Sequence, residues 1–317
     1  MTMTRAELPP QMHVFVCDWL SANHVVLRSD AGSVVIDSGY DKHVPLTLAL
    51  IASRAGLDGR PLAKLVNTHC HSDHIGGNAA LRRAYGCPIA VPAGEAPLID
   101  AWDERTLLYD YADQRAERFA VDEQLMPGRT YVWGDLEWRA LSAPGHAMGA
   151  LVFFNDVQRI LISGDALWQN GYGIVMPSEV DPTALPATRA TLEMIAALDA
   201  RCVIPGHGEP FTDVHGALER AFARTSAFEA DPLRTARHVL KALLVFSLLD
   251  RERMLLAALP DYMTRVGVYR DFNARFFRLS PDALAGNLVA ELERVGAVHR
   301  DDGWLKPGRS GVQETSR

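Results

Sequence analysis

Positive charge is not in excess in this chain: 32 Lys and Arg stand against 39 Asp and Glu over 317 residues, a formal net charge of -7. That balance gives no electrostatic reason to expect nucleic acid or an anionic membrane as a partner. Cysteine is scarce too. Cys17, Cys70, Cys87 and Cys202 form no CxxC pair and lack the density of a secreted disulfide scaffold, so a thiolate zinc knuckle is excluded and a reducing compartment fits. No apolar run approaches the roughly 20 residues that a bilayer requires, the longest being 242–249. The N-terminal stretch MTMTRAELPPQMHVFVCDWL has no sustained apolar core behind a basic cluster, so no signal peptide is expected there. A soluble cytoplasmic protein is the expectation.

What is present is an ordinary globular balance, 48% apolar and 22% charged, in a chain long enough for one large domain with an appendage. Short β-type runs at 12–16, 25–28, 33–37, 62–67 and 88–91 are followed by a second series at 130–133, 136–141, 150–154, 159–163 and 202–204. Asn155-Asp156 reads as a hairpin turn inside that second series. Helical spacing predicts helices over 45–55, 77–85 and 183–198. The pattern is α/β: two sheets with helices outside them, a four-layer αβ/βα sandwich. A polar helical stretch, 95–122, interrupts it; Trp102, Leu107, Leu108, Tyr111 and Phe119 would either pack on the domain or cover the mouth of a site.

From about Asp231 the β pattern stops. Runs at 240–249 and 254–259 read as packed helices, 281–295 as an amphipathic helix, and 297–305 as a short hairpin over Asp301-Asp302-Gly303. The expected division is a catalytic domain over 1–225 and a helical, winged-helix-like domain over 231–310. Residues 231–317 carry 14 basic and 11 acidic side chains, an excess of +3 against -10 for the remainder, too small to favour DNA over packing against the main domain or a second copy. A homodimer through these helices stays open, and a small molecule is the expected substrate.

The chemistry concentrates in Thr68-His69-Cys70-His71-Ser72-Asp73-His74, between a β-type run and a helix. His69 and His71, two apart, can aim at one ion, while Asp73 and His74 turn toward a neighbouring position. Three more donors follow strand-like runs beside glycine: His146 in PGH, Asp165 in SGD and His207 in PGHG. His13, His24, His43, His215, His238 and His299 have no such company and read as ordinary surface or core residues. Five histidines and two carboxylates make an all-N/O set suited to zinc, with iron or manganese also possible, and one that leaves coordination open for catalysis.

HCHSDH followed in order by His146, Asp165 and His207 resembles the metallo-β-lactamase fold superfamily over roughly the first 210 to 220 residues. The resemblance implies the metallo-β-lactamase sandwich and two divalent metal ions, zinc in most members. His69, His71 and His146 would hold the first, Asp73, His74 and His207 the second, with Asp165 between them. It also implies that Asp37, in VIDSG, supports the ligand loop from behind. A water between two cations would supply hydroxide near neutral pH, with Asp73 and Asp165 as the catalytic carboxylates. Retention of Asp165 is similar to glyoxalase II-like thioesterases rather than to zinc β-lactamases; the former also carry basic residues near the C-terminal helices that grip the glutathione carboxylate, and whether Arg234, Arg237 or Lys241 corresponds to them stays open. Hydrolysis of a thioester, small ester or lactone is the leading implication. A phosphodiesterase or nuclease, or a persulfide dioxygenase with one iron, are the alternatives. Trp168 and Tyr172, in the loop after Asp165, would either line the substrate pocket or pack the loop.

Overall fold

The computed structural model describes residues 7–105 and 107–308. The first six residues of the stretch read for a signal peptide, and residues 309–310 of the expected C-terminal domain, lie outside the described residues. Six strands, β1 (Met12–Phe15), β2 (His24–Leu27), β3 (Ser33–Ile36), β4 (Leu62–Val66), β5 (Ile89–Pro92) and β6 (Glu123–Leu125), form one sheet in sequence order. Five more, β7 (Thr130–Trp133), β8 (Leu136–Ser142), β9 (Leu151–Asn155), β10 (Ile160–Gly164) and β11 (Cys202–Pro205), form a second in the order β11-β10-β9-β8-β7.

Side chains alternate faces along each strand, and that alternation builds the layers. Val25, Leu27, Val34 and Ile36 of the first sheet meet Leu151, Phe153, Ile160, Ile162, Cys202 and Ile204 of the second in a core between the sheets. Their neighbours Val26 and Val35 turn outward onto Ile51 of α1 (Val44–Ala52), Ile75 of α2 (Ser72–Ile75), Leu81 of α3 (Asn78–Tyr85) and Ile99 of α4 (Ala96–Ala101). On the other side Val152, Phe154, Leu161 and Val203 face Leu192 and Ile195 of α6 (Ala184–Ala197) and Leu218 of α7 (Val214–Ala230), α5 (Tyr109–Ala112) lying between α4 and β6 in the chain. The four-layer αβ/βα sandwich follows from these two periodicities.

A separate apolar core gathers α8 (Pro232–Arg251), α9 (Leu259–Arg265), α10 (Gly267–Phe272) and α11 (Pro281–Arg294) around Leu240, Leu244, Tyr269 and Leu288. A three-stranded sheet of β12 (Met254–Leu255), β13 (Val298–Asp301) and β14 (Trp304–Pro307) borders it, in the order β12-β14-β13. The helix expected over 254–259 is therefore corrected. Met254 and Leu255 pair with Leu305 and Trp304, and the helix starts at Leu259, with Pro260 in its first turn where a missing N–H costs nothing. The hairpin turn expected at Asn155-Asp156 also shifts: Asn155 closes β9 and the turn covers 156–159. Strand β6 and the 17-residue helix α7 stand where no element was expected.

The stretch 95–122 is less helical than its spacing predicts, holding only α4 and the four-residue α5. Trp102, Leu107 and Phe119 pack into the core outside the first sheet, whereas Leu108 and Tyr111 reach across to the C-terminal core. Among the described residues no helix is long and apolar enough to cross a membrane.

Phe153 is fully buried between the sheets. Phe153→Ala is expected to lower stability by about 3–5 kcal/mol through lost transfer energy and a residual cavity. Urea unfolding should show the midpoint falling with an unchanged slope.

Candidate metal centre

Strand direction explains why distant residues converge. β3 and β4 run parallel, as do β10 and β11, and β8 runs the same way as β10 because both are antiparallel to β9. The loops at the C-terminal ends of these strands therefore emerge on one edge of the sandwich, where open α/β sheets place their sites. Asp37 follows β3, the segment Asn67 to His71 follows β4 and leads into α2, His146 follows β8, Asp165 follows β10, and His207 follows β11.

All seven donors expected from the sequence meet there, in two groups. His69, His71 and His146 form one, and Asp73, His74, Asp165 and His207 the other, the ligand atoms of each group lying within 4.8 Å of one another. Asp165 faces both: Oδ2 is 3.3 Å from His146 Nε2, while Oδ1 is 3.3 Å from His74 Nε2 and 3.9 Å from His207 Nε2. His71 Nδ1 and His146 Nε2 approach to 2.7 Å, and His207 Nε2 is 3.1 Å from Asp73 Oδ2.

The outer nitrogens are engaged in ways that leave the inner ones free. His74 Nδ1 donates to Asp37 Oδ2 at 2.8 Å, and His146 Nδ1 donates to the Ile174 carbonyl at 2.6 Å. Each contact fixes the ring and presents Nε2 inward as a lone pair. His69 Nε2 is buried with no hydrogen-bond partner, and His74 Nε2, likewise buried, faces Asp165 Oδ1 at 3.3 Å. Orphaned buried nitrogens are costly in a folded protein unless a ligand takes them up. Inward lone pairs beside two carboxylates are the donor set a divalent cation of the zinc type requires, so the residues present fit a metal pair.

Electrostatics agree. Burial and the neighbouring rings His74, His71 and His146 hold His69 well below the usual histidine range, and burial with His146 pushes His71 down to about 3. Burial alone would raise both carboxyls; His74 and His207 nevertheless hold Asp165 well below its usual range, and the His207 hydrogen bond with the His74 charge lowers Asp73. Burial opposes a charge on His74, but Asp37 and Asp165 overcome it and raise its pKa well above normal. Two carboxylates thus demand a positive charge at the position where His74 Nε2 points.

One support was not visible from spacing, and a second is the glycine read beside His207. Glu95 is buried, its carboxylate accepting from Cys70 N at 3.3 Å and Gly149 N at 3.0 Å, which ties the loop of His69 and His71 to that of His146. Gly206 leaves no room for a side chain: a Cβ there would stand 2.3 Å from Asp165 Oδ1 and 2.9 Å from His74 Cε1.

The donors open into a cavity of about 450 Å³. Trp19, Trp168 and His207 form its aromatic rim, with Trp19 stacked on the His207 ring at 5.5 Å and Trp168 edge-on to both. Trp168 also donates from Nε1 to Asp165 Oδ1 at 3.1 Å, so it lines the cavity and steadies a donor at once. Tyr172 borders the cavity but is buried in its loop, its hydroxyl 2.9 Å from Thr225 Oγ1. His238, read from sequence as an ordinary histidine, lies on the cavity wall, and Trp19 and Gln114 line it without any motif to announce them.

Gly206→Ala is expected to lower metal content at least roughly tenfold by displacing Asp165 and His74, an effect of the size that disturbing a ligand's support produces. Equal metal content in wild type and variant, by mass spectrometry on dialysed protein, would contradict this placement.

A family model described as the metallo-beta-lactamase superfamily matches residues 17–207. A hydroxyacylglutathione hydrolase of Hyphomonas neptunium is 27% identical over 174 residues, covering 54% of this chain and 57% of that protein. One of Rhodospirillum rubrum is 26% identical over 225 residues, covering 68% and 76%. The match thus spans little more than half the length of the Hyphomonas relative. Among solved structures, a beta-lactamase domain protein from Burkholderia ambifaria shares the fold with a TM-score of 0.58 and 20% identity over 97% of each chain. A metallo-beta-lactamase family protein from Thermus thermophilus does so with a TM-score of 0.55 and 18% identity over 96% of this chain and 100% of its own. With the family model covering more than half of its length, this chain belongs to the metallo-beta-lactamase superfamily.

Proposed function

We propose that the chain is a metal-dependent hydrolase of thioesters, with two divalent cations, zinc foremost, held at the seven-donor centre. His69, His71 and His146 would hold one, Asp73, His74 and His207 the other, and Asp165 both. Two cations bound there would supply Lewis acidity, lowering the pKa of a water molecule so that it attacks near neutral pH and taking up negative charge from the carbonyl oxygen.

The chain's own part is positioning and selection. Asp37 and the Ile174 carbonyl set the tautomers of His74 and His146, Trp168 holds Asp165, and the aromatic rim with Leu243, Phe246 and Leu249 excludes water from the reacting carbonyl. The observation that carries the thioester reading is the shortage of acids. Among the described residues lining the cavity, the carboxyl groups are Asp73 and Asp165, and both belong to the donor groups. No spare carboxylic acid stands ready to protonate a departing alkoxide or amine, whereas a thiolate leaves without one. The hydroxyacylglutathione hydrolases among the relatives support the same class. An acidic chain disfavours a nucleic-acid phosphodiester.

Protein purified without added metal or chelator is expected to carry close to two zinc-type ions per chain and to hydrolyse a panel of acyl thioesters. One iron per chain with oxygen uptake on a persulfide would replace this reading with a dioxygenase. Asp73→Ala and Asp165→Ala should each lower kcat/KM on the order of 100-fold or more, in keeping with loss of a metal-activated nucleophile. Circular dichroism should show the fold retained; wild-type turnover in both variants would end the two-metal reading.

A further inference from the structure

The stretch 95–122, which interrupts the sandwich pattern, delivers a neutral hydrogen-bond donor to the metal centre. Gln114 follows α5 and is half-buried on the cavity wall, with His71 and Asp73 on the same wall. Its amide oxygen Oε1 accepts from Ser72 Oγ at 2.6 Å, and Ser72 is fully buried at the start of α2. Ser72 is also the residue between His71 of the first donor group and Asp73 of the second. The carboxamide therefore lies against the segment that joins the two groups, next to where a carbonyl under attack has to sit.

The backbone that carries Gln114 is clamped on both sides. Its own N donates to the Tyr109 carbonyl at 2.8 Å, which ties it to α5. Before it, Asp113 accepts from Arg251 at 2.6 Å and from the Tyr262 hydroxyl at 3.0 Å. After it, Arg115 donates to Asp250 at 2.6 and 2.9 Å and to Asp41 at 3.0 Å. A carboxamide is planar, so a fixed backbone and a fixed Oε1 leave Nε2 little freedom. That nitrogen donates to no partner among the described residues. Other donors on the wall are already engaged: Trp168 Nε1 donates to Asp165 at 3.1 Å, and Tyr172 donates to Thr225 Oγ1, which itself donates to the Ala221 carbonyl. An idle donor on a clamped side chain is preorganised for negative charge that develops beside it. A neutral donor also suits the place, because a cationic one would be repelled by ions at the seven donors.

We propose that Gln114 is a catalytic residue whose Nε2 donates a hydrogen bond to the acyl carbonyl oxygen of the substrate and strengthens it as that oxygen gains negative charge. The proposal rests on the hydrolase reading of the cavity. A carbonyl oxygen has two lone-pair directions, so Gln114 takes one and leaves the other to the donor centre. Hydroxide forms a C–O bond to the carbonyl carbon, and the π pair moves onto the oxygen that faces Gln114. That pair returns as the C–S bond breaks and the sulfur leaves with the bonding electrons. A carboxylic acid and a thiolate result, and the acid proton then passes to the thiolate.

Butylthio-trifluoropropanone, a ketone that is not hydrolysed and whose hydrate resembles the attacked carbonyl, tests the donor without turnover. Titrated calorimetrically into the metal-loaded, full-length protein, it is expected to bind wild type and to bind Gln114→Met about tenfold more weakly, the loss of one hydrogen bond. Metal content by mass spectrometry should be equal in the two. On acyl thioesters, kcat of Gln114→Met should fall roughly 10- to 100-fold while KM changes less than about threefold, as for an interaction made mainly in the transition state. Gln114→Glu separates donor from prop: it keeps an oxygen for Ser72 but has no N–H, so it should lose as much kcat as Gln114→Met. Recovery of wild-type kcat in Gln114→Glu would reduce Gln114 to a structural prop and overturn the proposal. So would loss of metal from Gln114→Met, failure of the ketone to bind wild type, equal ketone binding in wild type and Gln114→Met, or thioester turnover with an unchanged kcat in Gln114→Met. If the ketone behaves as expected and no thioester is hydrolysed, the thioester reading fails and the carbonyl donor stands.

Discussion

The centre is organised by one buried carboxylate. Asp37 accepts from Thr68 N at 2.9 Å, Thr68 Oγ1 at 2.8 Å and His74 Nδ1 at 2.8 Å, so a single side chain fixes both ends of the segment that carries four of the seven donors. A charge this deeply buried would be strongly destabilising unpaired; its donors make it tolerable, and removing it would leave His74 free to turn. The backbone shares the strain. Asp37 has φ of +59°, a left-handed conformation that aspartate accepts more readily than most residues, and it lets the chain leave β3 while aiming the carboxylate under the neighbouring strand.

Much of this was legible in the sequence because it is local. The seven donors sit beside turns, four of them within six residues, and their ligand chemistry survives any detail of packing. The sandwich was legible for a similar reason: alternation in runs such as 33–37 and 150–154 sorts side chains to two faces before partners are known. What could not be read depends on long-range packing. Trp19 stacks on His207 across 188 positions of chain, and Glu95 joins two donor loops from a segment that looked like a surface helix. Met254 and Leu255 have helical spacing, yet pairing with β14 wins over that weak propensity; Pro260 was the sign that the helix starts later.

The cavity joins the two structural halves. The sandwich supplies the donors and the aromatic rim, and α8 and α11 supply the opposite wall through Leu243, Phe246, Leu249, Leu292 and Val295. Leu108 and Tyr111 extend from the sandwich into the C-terminal core, and Arg115 pairs with Asp250 at the end of α8, so the wall is braced where it meets the donor loop. Under the proposed function, substrate choice would be separated from the chemistry: donors on the sheet edge would set the reaction class, and helices contributed from farther along the chain would shape what reaches them.

The central claim is that Asp165 lies between two metal ions. Anomalous diffraction from crystals grown with zinc tests it most directly. Two peaks roughly 3.5–4 Å apart, one among His69, His71 and His146 and one among Asp73, His74 and His207, each in contact with Asp165, are the expected result. A single peak, or two peaks of which Asp165 touches neither, would contradict it.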